Sequence, residues 1–157
     1  MKWVIVTGDS KGVGKEIVSK ILNETDFGVI GISRSGSLTN HDFIEKFSDR
    51  YQSLKYDLTD VDGIKHLYLN QIKMIGPLYG LVNNAAVAYD DIVSNLNIEQ
   101  LDKMFRINVY AAMHLTKYVI RDMLLHKTKG SIVHISSISA HTGYKGLSMY
   151  AASKGAI

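Results

Sequence analysis

The chain predicts a doubly wound α/β fold built on a parallel sheet in the order 3-2-1-4-5. Two observations carry that expectation: short, continuously apolar runs alternate with amphipathic segments, and a glycine-rich turn joins the first run to the first amphipathic segment. Strands covered by helices on both faces read as unbroken apolar runs rather than as polar–apolar alternation. Right-handed crossovers then put the first strand in the centre, with the strand order reversing beside it.

Each element follows from local chemistry. Trp3-Val4-Ile5-Val6 is the first strand, Gly8 to Gly14 the turn, and Lys15 to Asn23 the first amphipathic helix. Phe27 to Ile32 forms a second buried strand, Arg34 to Asn40 a polar loop, His41 to Phe47 a short helix and Tyr51 to Tyr56 a third strand. Thr59 or Asp60 can cap a helix running to about Ile75, where Gly76 and Pro77 stop it. Leu78 to Val82 is the fourth strand, and Asn83 to Asn97 is loop with at most a short helical turn. A long helix spans Ile98 to His126, its apolar stripe running through Leu101, Phe105, Val109, Ala112, Leu115, Val119 and Met123. Ser131 to Ile135 makes the fifth strand, and a last helix starts near Leu147.

Composition narrows the class. At 157 residues, 46% hydrophobic and 21% charged, without internal repeats, the chain suits one globular domain, residues 1–157. No cysteine is present, which removes disulfides, thiolate nucleophiles and zinc–cysteine sites and suits a reducing cytoplasm. The six histidines have no metal-ligand spacing, so no metal is expected. No apolar run reaches the about 18 residues of a membrane span, and the amino terminus leads straight into a strand pattern. The net charge is +3, but its cations are scattered, with no basic stripe to bind nucleic acid.

Thr7-Gly8-Asp9-Ser10-Lys11-Gly12-Val13-Gly14 has the spacing T-G-x-x-x-G-x-G. Gly8 permits the tight turn, Gly12 lets backbone approach a pyrophosphate, and Gly14 allows the following helix to pack closely, its N-terminal amides facing the anion. The other reading is a glycine-rich turn without a ligand. At the end of the second strand an acid would suit the ribose 2′-hydroxyl of NAD, whereas this chain has Ser33-Arg34-Ser35, and arginine accommodates the 2′-phosphate of NADP. Lys11 adds a second cation nearby.

Tyr150 and Lys154 stand at i and i+4 on one helix face, with Ser137 thirteen residues before Tyr150. A neighbouring ammonium lowers a phenol's pKa, and a shift of about three units needs about 4 kcal/mol of preferential phenolate stabilisation. Alone, such a pair is equally a solvated helix surface.

Together these motifs resemble the short-chain dehydrogenase/reductase family, with a Rossmann-type NAD(P)-binding domain, along the whole chain. The resemblance implies that Asp57-Leu58 contacts adenine, that Asn84-Ala85-Ala86 corresponds to the family's N-A-G with alanine for glycine, and that Asn108, Ser137, Tyr150 and Lys154 form the catalytic tetrad. It assigns Gly8, Ser10, Lys11, Gly12, Val13, Gly14, Ser33, Arg34, Asp57, Leu58, Asn84, Ala85 and Ala86, with Tyr150 and Lys154, to cofactor binding. Ser136 would be structural. The implied chemistry is NADPH-dependent reduction of a carbonyl to an alcohol in a cytoplasmic homo-oligomer.

The stretch from Ile135 to Gly155 is most similar to 3-oxoacyl-[acyl-carrier-protein] reductases of fatty acid biosynthesis. Alcohol, sugar and steroid dehydrogenases of the family share it. Lys127 and Lys129 would suit an acidic carrier, and His141 and Tyr144 could line a substrate cleft. Family members continue with further strands and a substrate loop. Without them the fifth strand is expected to be an open edge and the helix of Tyr150 to be only about two turns long. A catalytically inactive nucleotide-binding or assembly module is therefore the alternative.

Overall fold

The computed structural model describes residues 1–157, in which five parallel strands form one sheet in the order β3-β2-β1-β4-β5. The strands are β1 (Trp3–Thr7), β2 (Gly28–Ser33), β3 (Tyr51–Lys55), β4 (Leu78–Asn83) and β5 (Ser131–His134). Every residue of β1 and β2 is buried, as expected of strands covered on both faces. At the edge, β5 leaves Val133 45% exposed.

Helices α1 (Gly12–Glu24) and α2 (His41–Lys46) cover one face, closing a core around Val6, Val18, Leu22, Val29 and Phe43. The other face carries the larger core, in which Ile5, Ile30, Ile64, Leu81, Leu115 and Val119 meet. Its helices are α3 (Ile64–Leu67) and α4 (Lys73–Ile75), joined by a π turn (Tyr68–Ile72), and α5 (Ile98–Phe105) and α6 (Ala112–Leu125), joined by another (Arg106–Ala111). A final helix, α7 (Ser148–Gly155), follows a 3-10 turn (Ile138–Ala140). No helix is long and apolar enough to cross a membrane.

Three local expectations shift. Helix α1 begins at Gly12 rather than Lys15, because glycines 12 and 14 are themselves part of the first turn. Asp60 closes a turn by accepting the Gly63 N–H at 3.0 Å rather than capping the helix, which begins only at Ile64 with no side-chain cap. The long helix is not one uninterrupted α-helix. Its π turn inserts a residue into the apolar stripe, and so Ile107, Asn108, Val109 and Ala111 are all buried there. Between β4 and α5 the chain is loop with one 3-10 turn (Val93–Asn95), and Asn97 caps α5 by accepting from the Glu99 and Gln100 amides.

Candidate active site

Two clefts lie beyond the carboxyl ends of the strands, where an open parallel sheet leaves a crevice between β1 and β4. The larger, about 760 Å³, takes its walls from the ends of β1 to β4: Gly8, Ser10 and Lys11; Ser33 and Arg34; Asp57 and Leu58; Asn84, Ala85 and Ala86. Ile32, Ser35, Thr39, Tyr56, Val87 and Ile107 also line it. Those six were missed by the sequence reading. Ile32, Ser35, Tyr56 and Val87 flank predicted positions, whereas Thr39 comes from the turn after β2 and Ile107 reaches the cleft through the π turn, which no hydropathy pattern announces.

The glycine turn is stapled to the end of β4. Thr7 Oγ1 accepts from the amides of Asn84 and Ala85, both at 3.0 Å, and Asn84 Nδ2 donates to the Thr7 carbonyl at 2.9 Å. This approach excludes side chains: a Cβ on Gly14 would lie 2.2 Å from the Gly8 carbonyl oxygen and 2.5 Å from Asn84 Nδ2. Gly8 adopts φ +72°, while Gly12, at φ +57°, has open space where its Cβ would be. Val13 is exposed at the start of α1, and neither it nor Gly12 or Gly14 lines the cleft wall.

Electrostatics favour an anion at the β2 end of this cleft. Arg34 and Lys11 are exposed and take part in no salt bridge. Beside them the buried Ser33 Oγ has no hydrogen-bond partner. An orphaned hydroxyl next to two free cations fits a ligand that brings acceptor oxygens. Across the cleft, the Asp57 carboxylate accepts from the Thr59 amide and hydroxyl, both at 2.9 Å. These bonds hold its pKa below the ordinary carboxylate value.

The second cleft, about 400 Å³, brings Ser137 and Tyr150 together with Ala88, Asp90, Ile138, Ser139, Tyr144 and Leu147. Tyr144 is thus on the cleft, whereas His141 is exposed outside it. Ser137 Oγ accepts from the Ser139 amide at 3.3 Å and the Ser139 hydroxyl at 2.9 Å, which leaves its own proton free to donate. Because Val87 lines the first cleft and Ala88 the second, the segment after β4 is a shared wall.

Behind Tyr150 lies Lys154, only 3% exposed, its Nζ 6.0 Å from the Tyr150 ring centroid and donating to the Ile135 carbonyl at 2.7 Å. One ammonium proton is used there, and two remain for other acceptors. Burial pushes the Lys154 pKa below the ordinary lysine value.

The short helix α7 is held by tertiary bonds rather than by its own length. Ser136 Oγ donates to the Lys154 carbonyl at 2.7 Å, in keeping with a structural role for that serine. Asn108 Nδ2 donates to Ser153 Oγ at 3.0 Å and to the Val87 carbonyl at 2.9 Å, while its Oδ1 accepts the Val87 amide at 2.9 Å. Asn108 therefore clamps the shared wall to the helix of Tyr150 and Lys154. Asn108→Ala removes these three hydrogen bonds, one buried and two part-buried, and we expect a loss of about 2–3 kcal/mol, seen as a Tm lowered by about 5–10 °C in thermal unfolding.

Comparison with known proteins agrees with this geometry. A sequence profile of the short chain dehydrogenase family matches residues 2–157. The chain belongs to the short-chain dehydrogenase family. It is 30% identical over 153 residues to a 3-oxoacyl-[acyl-carrier-protein] reductase of Buchnera aphidicola, covering 95% of this chain and 60% of the relative. Carbonyl reductase [NADPH] 2 of Sus scrofa is 31% identical over 155 residues, with 98% of this chain and 60% of the relative covered. The solved structure of a short-chain dehydrogenase from Streptomyces avermitilis superposes with a TM-score of 0.90 at 28% identity, over 99% of this chain and 56% of that one. The short-chain dehydrogenase chain described here thus spans about 60% of the length of these curated relatives.

Proposed function

We propose that this chain is the nucleotide-binding part of an NADP-dependent oxidoreductase that reduces a carbonyl to an alcohol. One observation carries the reading: Ser137 and Tyr150 face a single cleft that shares a wall with a larger, cation-lined one. A dinucleotide lying in the larger cleft, its 2′-phosphate near Arg34, Lys11 and Ser33, would extend its far end toward Tyr150. The residues at that end fit the group, since an unpartnered buried hydroxyl and two unpaired cations await acceptors. When bound, NADPH supplies the hydride.

The chain's own residues handle the proton and the charge. Ser137 donates its free hydroxyl proton in a hydrogen bond to the carbonyl oxygen as charge develops there. Tyr150 gives that oxygen its proton as general acid. The Lys154 ammonium, held in place by the Ile135 carbonyl, stabilises the tyrosinate left behind and offers its remaining protons to the nicotinamide ribose. Asn108 positions α7, and with it both side chains. The Asp57 carboxylate accepts from the adenine amine.

For the substrate, a 3-oxoacyl thioester on an acyl carrier protein is the best-supported choice. Supporting it are the similarity to 3-oxoacyl-[acyl-carrier-protein] reductases and the exposed Lys127 and Lys129 beside the end of α6, suited to an acidic carrier. Along the long helix, Tyr110, Met113 and Leu124 expose apolar surface suited to a homo-oligomer, and the absence of cysteine suits the cytoplasm.

The test is titration of the chain with NADPH together with an assay of acetoacetyl thioester reduction. Turnover supports the reductase, tight NADPH binding without turnover reduces the chain to a nucleotide-binding module, and failure to bind NADPH overturns the reading. Arg34→Asp replaces charge-assisted bonds by repulsion, so NADPH affinity should fall about a hundredfold while NADH affinity changes less than about threefold. Equal losses for both cofactors would sink the 2′-phosphate assignment.

A further inference from the structure

Beneath the glycine turn three polar side chains from distant parts of the chain meet inside the core. Asp9 and Asn40 are fully buried and Tyr51 is 3% exposed. The Tyr51 hydroxyl donates to Asp9 Oδ2 at 2.5 Å. Asn40 Nδ2 donates to the same carboxylate oxygen at 2.9 Å and to Tyr51 Oη at 2.7 Å, and it lies 3.3 Å from the Asp9 carbonyl. Gly31, in the middle of β2, leaves the room for them. A Cβ there would come within 2.0 Å of Asp9 Oδ2 and 2.8 Å of Tyr51 Oη.

What the cluster joins is more informative than its buried position. Asp9 immediately precedes Ser10 and Lys11, which wall the larger cleft at the end of β1; Asn40 immediately follows Thr39, which with Ser33 and Arg34 walls it after β2. The Asn40 carbonyl also accepts the Phe43 and Ile44 amides, both at 3.2 Å, so the residue that closes the wall starts α2. Lys15 Nζ adds a tie to the Thr39 carbonyl and the Asp42 carboxylate, each at 3.4 Å, but that contact is exposed and correspondingly weak. The buried cluster is the stiffer link.

The cluster has no slack. Asp9 Oδ1 and Asn40 Oδ1 are buried without partners, so no idle donor nearby can replace a lost hydroxyl. Removing one member frees the two walls to separate. A phosphate gripped between the cations of these two segments would feel that separation directly, because charge-assisted bonds depend on donor geometry. An adenine at Asp57 or a pyrophosphate at the start of α1 would not need to bridge those walls.

We infer that Asp9, Asn40 and Tyr51 are positioning residues: a buried strut that holds the Lys11 wall and the Arg34 wall at the spacing a ribose 2′-phosphate needs, and so sets the preference for a 2′-phosphorylated dinucleotide. This rests on the cofactor assignment under Proposed function. Tyr51→Phe keeps the ring and its edge contact with Phe43, 5.5 Å between centroids, while removing only the hydroxyl.

Calorimetric titration of the 157-residue chain with adenosine 2′,5′-bisphosphate and with 5′-AMP isolates the 2′-phosphate from the rest of the cofactor. In Tyr51→Phe the bisphosphate should bind about tenfold more weakly, with 5′-AMP changed less than about twofold. Phe43→Leu loosens the packing beside Tyr51 while leaving every hydrogen-bonding group of the strut in place, and should lower Tm while leaving the ratio of the two affinities unchanged. Asp9→Asn retains an oxygen to accept the Tyr51 hydroxyl and should hold the ratio within about threefold of the parent, so it remains informative if Tyr51→Phe fails to fold. Equal weakening of both probes in Tyr51→Phe, a ratio shifted as far by Phe43→Leu, or a collapse of the ratio in Asp9→Asn would overturn the strut. A parent chain that binds neither probe would instead overturn the cofactor reading, and the strut with it.

Discussion

Tyr150→Phe is expected to abolish the carbonyl reduction proposed above while leaving the proposed NADPH binding intact. The substitution removes one oxygen and its proton from the wall of the smaller cleft and leaves the packing of α7 unchanged. That helix is held through the Lys154 carbonyl, the Lys154 ammonium and Ser153, not through the phenol. Loss of a positioned general acid costs typically about 10²–10⁴ in rate, so kcat should fall by about 10³ or more. On the proposed cofactor reading, NADPH affinity would be set around Arg34, Lys11 and Asp57 in the larger cleft and should change less than about twofold. Single-turnover kinetics paired with an NADPH titration separate the two. Equal loss of both would mean that Tyr150 serves binding rather than proton transfer. Lys154→Met offers a second check, since it should reduce kcat and also weaken NADPH, in keeping with ammonium protons directed at both tyrosinate and ribose.

Gly14→Ala should be among the most damaging small substitutions in the chain. Helix propensity alone would favour alanine by about 1 kcal/mol. Opposing it, the new methyl would sit 2.2 Å from the Gly8 carbonyl oxygen and 2.8 Å from its carbon, backbone atoms that cannot swing aside. Forcing α1 away from the turn also breaks the approach of Asn84 Nδ2 to Thr7 and Gly8. Overpacking of this kind costs about 3 kcal/mol, so the clash outweighs propensity, and Tm should fall by about 5–10 °C with NADPH affinity falling in parallel. Gly12→Ala is the control. It meets no atom within 4 Å, and its penalty is confined to the left-handed backbone at φ +57°, about 1 kcal/mol. If both variants were equally unstable, backbone strain rather than close packing would explain the glycines.

Much of the fold was legible because the information is local. Unbroken apolar runs at Trp3 to Val6, Phe27 to Ile32 and Leu78 to Val82 report strands covered on both faces, and the crossover rule turns their succession into the observed order. Most of the cleft lining was legible for the same reason: residues at the carboxyl ends of such strands must meet at the switch point, so Gly8, Ser33, Arg34, Asp57 and Asn84 share one cavity. The π turn at Arg106–Ala111 was not legible, since a single inserted residue leaves the average helical period almost unchanged. Nor was the open edge at β5 a sufficient guide to the fate of α7. A two-turn helix is marginal by itself, and its retention depends on the Ser136, Ile135 and Asn108 bonds that only long-range proximity creates.

Strand order, the glycine turn and the pairing of Tyr150 with Lys154 on one helix face are thus consequences of nearest-neighbour chemistry and chain handedness. Which partner each polar group takes was decided by tertiary packing. Asn108 clamps Val87 to the helix of Tyr150 and Lys154, Ser33 is left without a partner beside two cations, and Asp9 finds Tyr51 across the space that Gly31 vacates. The physical reason is that a buried polar group must be satisfied by whatever lies within about 3 Å once the sheet has closed, and those neighbours come from residues tens of positions away.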